Sequence, residues 1–275
     1  MARKKKRSLT ARGVIGLGKG LWFLTKASGK GIIYLSKKAI KKSKDIKELK
    51  EERTKEELRP KINAQYEKFE IIKTLDGNYE KFEEKLFNNQ SIIGIILGAR
   101  GTGKSAIGMK LLENIKSKTN RNVCVMGFKK ENLPNWISVF KKTEEIPNGS
   151  FVLIDEAGIE FSSRDSMSSA NKILSNLLLI SRHKDLSVAF ISQNSSNLEI
   201  NVIRQADFLI LKPSSLMQKD FERKKIKDIY SGVTEHFEEY KDINGLTYIY
   251  STDFRGFVTN NLPSFWSKEV SKSYK

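Results

Sequence analysis

Glycines at positions 98, 101 and 103, followed at once by Lys104-Ser105, constrain this 275-residue chain more than any other feature. The run Gly98-Ala99-Arg100-Gly101-Thr102-Gly103-Lys104-Ser105 has a glycine, four variable residues and then Gly-Lys-Ser, and so satisfies the phosphate-loop pattern at every defined position. It stands where that pattern must stand. An apolar run, Ile92 to Leu97, precedes it as a strand, and Lys104 to Lys118 follows with helical spacing. Glycines let the backbone curl until successive N–H groups point at phosphate oxygens, and the following helix adds its positive end. The expected ligand is ATP with Mg²⁺. Lys104 would reach the β and γ phosphates and the Ser105 hydroxyl would ligate the metal, while Ala99, Arg100, Thr102 and the adjoining Ala106 line the loop.

Short apolar runs and helical patterns alternate through the rest of the core. Val123 to Phe128, Phe151 to Ile154, Leu186 to Ser192 and Phe208 to Leu211 read as strands, with helices at Asn171 to His183, Leu198 to Gln205 and Leu216 to Ile229. That alternation predicts an α/β fold, a mostly parallel sheet covered on both faces. Before the core, Glu70 to Leu75 reads as extended, Asp76-Gly77 as a turn and Tyr79 to Phe87 as a short amphipathic helix. After it, Asn244-Gly245 between Phe237 to Lys241 and Thr247 to Tyr250 signals a hairpin.

Two strands end in residues that burial alone does not require. Phe151-Val152-Leu153-Ile154 runs into Asp155-Glu156 at the carboxyl edge, where open α/β sheets place ligands. Beside a phosphate loop, Asp155 is expected to hold the magnesium through water, and Glu156 to polarise the attacking water. The run Leu186 to Ile191 ends in Ser192-Gln193-Asn194. The Gln193 amide both donates and accepts, so it can bond the γ-phosphate and the attacking water together.

This order of motifs resembles the HerA and FtsK superfamily of ring-shaped ATPases, in particular its compact archaeal and viral members and the zonula occludens toxin-like ATPases. The residues that carry the likeness are the loop, the Asp-Glu strand, the helix ending Ser181-Arg182-His183, the strand ending Ser192-Gln193-Asn194, and Asn201 to Pro213. The likeness covers residues 91 to about 215. It implies a RecA-like three-layer fold in which the Gln193 strand lies between the loop strand and the Asp155 strand. It also implies a hexameric ring that moves double-stranded DNA, with an arginine from one subunit reaching the γ-phosphate of the next. Arg182 and Arg204 are the candidates here. The chain departs from the cellular members in showing no N-terminal barrel domain or spanning helix.

Charge separates the chain into unlike parts. Of the net +18, fourteen come from Lys and Arg within residues 1–44, which hold no Asp or Glu. Val14, Leu17, Leu21, Leu24, Ile32 and Leu35 fall at helical spacing between those lysines, with Trp22, Phe23 and Tyr34 among them. A membrane-surface anchor, a DNA-binding arm and a partner-docking helix all fit this segment. No stretch is long and apolar enough to span a bilayer, so the expected location is cytoplasmic, with peripheral contact to an anionic membrane through residues 1–44 left open. Two histidines and one cysteine exclude a zinc constellation and an internal disulfide, and Cys124 reads as a buried thiol. The resulting division is a basic extension and charged linker (1–60), a lead-in (61–90), the ATPase core (91–235) and a C-terminal hairpin and tail (236–275). The functional readings that remain are a DNA-moving ATPase, a membrane-associated assembly or secretion ATPase acting on protein, and a slow nucleotide-dependent switch.

Overall fold

The computed structural model describes residues 54, 56–88, 91–156 and 166–271. The chain divides at Leu58 and Arg59 into two units, and the fold described here is that of the second. The basic helices expected over 1–44, and most of the charged helix expected over 45–58, lie outside the described residues.

The strands are β1 (Glu70–Gly77), β2 (Ile93–Leu97), β3 (Val123–Met126), β4 (Ile137–Val139), β5 (Phe151–Asp155), β6 (Ser187–Ile191), β7 (Phe208–Leu211), β8 (Thr247–Ser251) and β9 (Phe254–Thr259). They form one sheet in the order β1-β9-β8-β7-β2-β6-β5-β3-β4. From β7 through β4 all pairings are parallel, whereas β7–β8, β8–β9 and β9–β1 are antiparallel. The expected mostly parallel α/β sheet is therefore present, with an antiparallel wing on one side.

Both faces are covered, and the strand period shows how. Phe151 and Leu153 of β5 join one core with Ala189 and Ile191 of β6 and Val123 and Val125 of β3. The intervening Val152, Ile154, Val188, Phe190, Cys124 and Met126 point into the other. Alternate side chains leave a strand on opposite faces, so strands apolar at every position need a helical layer on each side. Helices α1 (Tyr79–Asn88) and α2 (Lys104–Lys118) cover the first face. Helices α3 (Ser166–Lys184), α4 (Ile200–Arg204), α6 (Lys224–Gly232) and α7 (Thr234–Glu239) cover the second. The result is the three-layer α/β/α arrangement expected of a phosphate-loop fold. Cys124 is fully buried, and burial pushes its thiol up to about 11, as befits an inert core residue.

Two expectations need correction. Phe237 to Lys241 is not a strand: α7 runs to Glu239 and a turn follows, and the hairpin is β8–β9, turning at Thr252-Asp253. Phe237 instead packs its ring edge-on against Phe257 at 5.1 Å, a core contact that suits a helix laid on the sheet. The helix expected over Leu216 to Ile229 is two helices, α5 (Leu216–Phe221) and α6, parted at Glu222-Arg223. There the buried Glu222 carboxylate accepts the Ser195 N–H at 2.8 Å and the Ser195 hydroxyl, and Arg223 N–H donates to Ser195 Oγ at 2.9 Å. Those bonds hold the backbone extended at Glu222, with ψ at 152°. The short edge strand β4 was not expected at all. The lead-in supplies β1 and α1, and the C-terminal segment supplies β8 and β9; the three strands belong to the one sheet and α1 packs on its face.

Candidate active site

The loop from Gly98 to Gly103 turns at three positions, Gly98, Gly101 and Gly103, whose positive φ favours glycine. Gly98 has φ +151°, and a Cβ there would sit 2.5 Å from Lys212 Cβ. Gly103 has φ +87° and caps the N-terminus of α2 with no side-chain hydrogen bond, and no acid occupies the first turn of that helix. The first N–H groups of α2 are thus left to an anion, reinforced by the helix dipole. The loop is secured from behind, where Lys212 N–H donates to Leu97 O at 2.8 Å and Ala99 N–H to Pro213 O at 3.0 Å.

Lys104 is buried, and its Nζ donates to Gly98 O at 2.8 Å and Ala99 O at 2.9 Å. The ammonium therefore lies in the concavity of its own loop. Burial lowers its pKa, while Asp155 and Glu156 draw it the other way. Ser105, the next residue, donates its hydroxyl to Asp155 Oδ2 at 3.0 Å. The loop helix and the β5 edge are thereby joined by one hydroxyl and one carboxylate. Glu156 stands one residue further, and the hydroxyl of the buried Ser192, at the end of β6, bonds to its Oε2.

These groups share a cavity of about 310 Å³ lined by Arg100, Gly101, Gly103, Lys104, Ser105, Ala106, Asp155, Glu156, Gln193 and neighbours. Gln193 reaches it because β6 lies between β2 and β5, the placement that the resemblance implied. Its backbone carbonyl accepts a hydrogen bond from Gln218 Nε2, which ties the end of β6 to α5. Gly98, Ala99 and Thr102 do not line the cavity. They shape the loop behind it, with Thr102 Oγ1 donating to Ala99 O at 2.7 Å. Arg182 and Arg204 are exposed and lie outside the cavity, one closing α3 ahead of β6 and the other closing α4 ahead of β7.

The donors suit Mg²⁺ rather than a softer metal. No group of three or more His, Cys, Asp or Glu able to hold a metal occurs among the described residues. What the site offers is a hydroxyl beside a carboxylate, all oxygen, next to a cradle for phosphate. Magnesium characteristically takes one or two carboxylates and completes its shell with water and phosphate oxygens.

Sequence reasoning missed Asn197, Trp266 and Ser271, which also line the cavity. Trp266 and Ser271 arrive on the segment after β9, far along the chain, and no spacing rule connects them to the loop.

No family model matches the chain, and no curated protein matches it. Among solved structures, the chain is similar to the DNA-packaging ATPase of Sulfolobus Turreted Icosahedral Virus, at 13% identity over 63% of this chain and 99% of that one, with a TM-score of 0.44. The genome packaging NTPase of Sulfolobus turreted icosahedral virus 2, in complex with AMPPCP, gives 16% identity over 63% and 100%, with a TM-score of 0.45. The conjugation coupling protein TcpA, in its monomer form with ATPγS, gives 12% identity over 66% and 62%, with a TM-score of 0.43.

Proposed function

We propose that the chain binds and hydrolyses Mg-ATP, and that it is a motor of the HerA and FtsK type that moves double-stranded DNA as a hexameric ring. One observation carries the reading: Lys104, Ser105, Asp155, Glu156 and Gln193, gathered at the carboxyl ends of three adjacent parallel strands, line a single cavity. Within it each residue has a chemical task. The loop N–H groups bind the phosphate chain, and the Lys104 ammonium exchanges its two loop carbonyls for phosphate oxygens. Ser105 and Asp155 would hold Mg²⁺, which when bound neutralises charge on the β and γ phosphates. Glu156, held by Ser192, orients and polarises the attacking water, and Gln193 bonds that water through its amide. Arg182 or Arg204, exposed and away from its own chain's cavity, would serve the neighbouring subunit's site.

Duplex DNA is the proposed cargo because a charge of +18 favours a polyanion and phosphate contacts grip without regard to sequence. The test is the ATPase rate with and without duplex DNA across a salt series. Stimulation that fades as salt rises supports the motor, since counterion release makes phosphate contacts strongly salt-dependent. A rate indifferent to DNA at every salt concentration refutes it.

One observation favours a second reading. The lysine-rich segment 1–44 alternates with apolar and aromatic residues at helical spacing, which suits a protein-directed ATPase held from the cytoplasmic side at an anionic membrane. Flotation of the full chain with anionic vesicles, together with absence of DNA stimulation, would establish it over the motor.

A further inference from the structure

The cavity has a phosphate wall and a hydrolytic wall, and one further wall that neither role uses. Resting on the nucleotide reading above, we infer that Trp266 is the platform on which the base of the bound nucleotide stacks, and that the segment after β9 is a strap that holds it there.

Among the described residues that line the cavity, fourteen in all, Trp266 alone carries an aromatic ring. The others present glycine backbone, charged groups, amides, hydroxyls and the small apolar Ala106 and Ile191. A nucleotide brings one flat, π-bearing group to its site, and an indole face is the complementary surface. Trp266 is half-buried and packs against the α2 side of the core, so its ring is held rather than free.

The strap is tied down on both sides of that ring. Before it, Ser264 N–H donates to Glu113 Oε2 at 3.1 Å and the Ser264 hydroxyl bonds to Glu113 Oε1. Glu113 is fully buried on α2, the same helix that begins at Lys104, and Lys110 Nζ lies 3.2 Å from its Oε2. Phe265 is buried and meets Trp136 edge-on at 5.4 Å. Trp266 N–H closes a turn onto Pro263 O at 2.9 Å. After it, Val270 is buried in the core, and Asn132 Nδ2 donates to Glu269 O at 3.3 Å. The helix that presents the phosphate site therefore also anchors, through Glu113, the segment that presents the ring. A base resting on Trp266 and phosphates resting on the loop would be measured against one rigid element.

Affinity of the full-length protein for Mg-ATP and for inorganic tripolyphosphate with Mg²⁺, each measured by titration calorimetry, tests this. Stacking of a base on an aromatic side chain is typically lost at a cost of about 5- to 150-fold in affinity on truncation. Trp266→Ala should weaken ATP binding by that order and leave tripolyphosphate binding unchanged, while Trp266→Phe restores most of the loss. Unchanged ATP affinity in Trp266→Ala, with tripolyphosphate still bound, overturns the platform. Equal losses for both ligands, unrelieved by Trp266→Phe, also overturn it, since the residue would then act through the loop. If the unsubstituted protein binds neither ligand, the phosphate-loop reading falls and the platform falls with it.

Discussion

Replacing Lys212 by methionine should flatten the dependence of stability on pH above neutrality. Lys212 follows β7 directly beneath the phosphate loop and is only 2% exposed. Its Nζ donates to Gly245 O at 2.8 Å and to Leu246 O at 3.2 Å. Burial alone pushes the ammonium from its ordinary 10.5 down to about 7. The sign follows from proton counting. Between those values the unfolded chain holds this proton and the folded protein has released it, so stability rises with pH across the window. The penalty is complete below the folded value and gone above the unfolded one. At about 1.4 kcal/mol per pKa unit, the full penalty is on the order of 5 kcal/mol, gained back at no more than about 1.4 kcal/mol per pH unit.

Methionine keeps the length of the side chain and removes the charge. It leaves the carbonyls of Gly245 and Leu246 without the Nζ donor, an offset of about 1 to 3 kcal/mol that does not vary with pH. Urea unfolding of both proteins at a series of pH values between about 7.5 and 9.5 separates the two effects, because every other titrating group cancels in the difference. The variant's stability relative to the parent should fall by about 2 to 3 kcal/mol across that range. Parallel curves would refute the claim that Lys212 is held as a buried, reluctantly charged amine.

The remaining predictions concern the site and the sheet. Lys104→Ala should abolish measurable Mg-ATP binding by calorimetry, since Lys104 is the one lysine lining the cavity among the described residues. Glu156→Gln should bind ATP normally yet lose turnover by about 100-fold or more, the scale of a lost general base; an unimpaired steady-state rate would dismiss Glu156 from that role. Gly94→Ala should destabilise by about 1 to 3 kcal/mol or more, because overpacking a rigid core is costly and a Cβ on Gly94 would fall 2.0 Å from the Phe208 ring. Gly232→Ala meets nothing within 4 Å, and the same denaturation assay should show it neutral or stabilising by up to about 1 kcal/mol.

What could be read in advance was what is contiguous in the chain. The phosphate loop declares itself because its strand, its turn and its helix are consecutive, and Asp155-Glu156 because two carboxylates end an otherwise apolar strand. The hairpin was misplaced because Asn244-Gly245 is a true turn signal with Gly245 at φ +75°, but the turn joins a helix to a strand. Turn chemistry specifies the bend and not what enters it. The break at Glu222-Arg223 was invisible for another reason, since it depends on Ser195 meeting a buried carboxylate from 27 positions away.

Trp266 shows the same limit in the site itself. It lines the cavity on a segment that Ser264 ties to Glu113 across 151 positions of sequence, and nothing near Trp266 announces that partner. The phosphates of a nucleotide are alike in every nucleotide, so their recognition can be carried by backbone N–H groups in one short, recognisable loop. A base needs only a flat apolar face, which any aromatic on any returning segment can offer. A chain free to supply that face from anywhere leaves no spacing by which to find it. The half of the site that binds what all nucleotides share is therefore written locally, and the half that meets the base is legible only once the fold has closed.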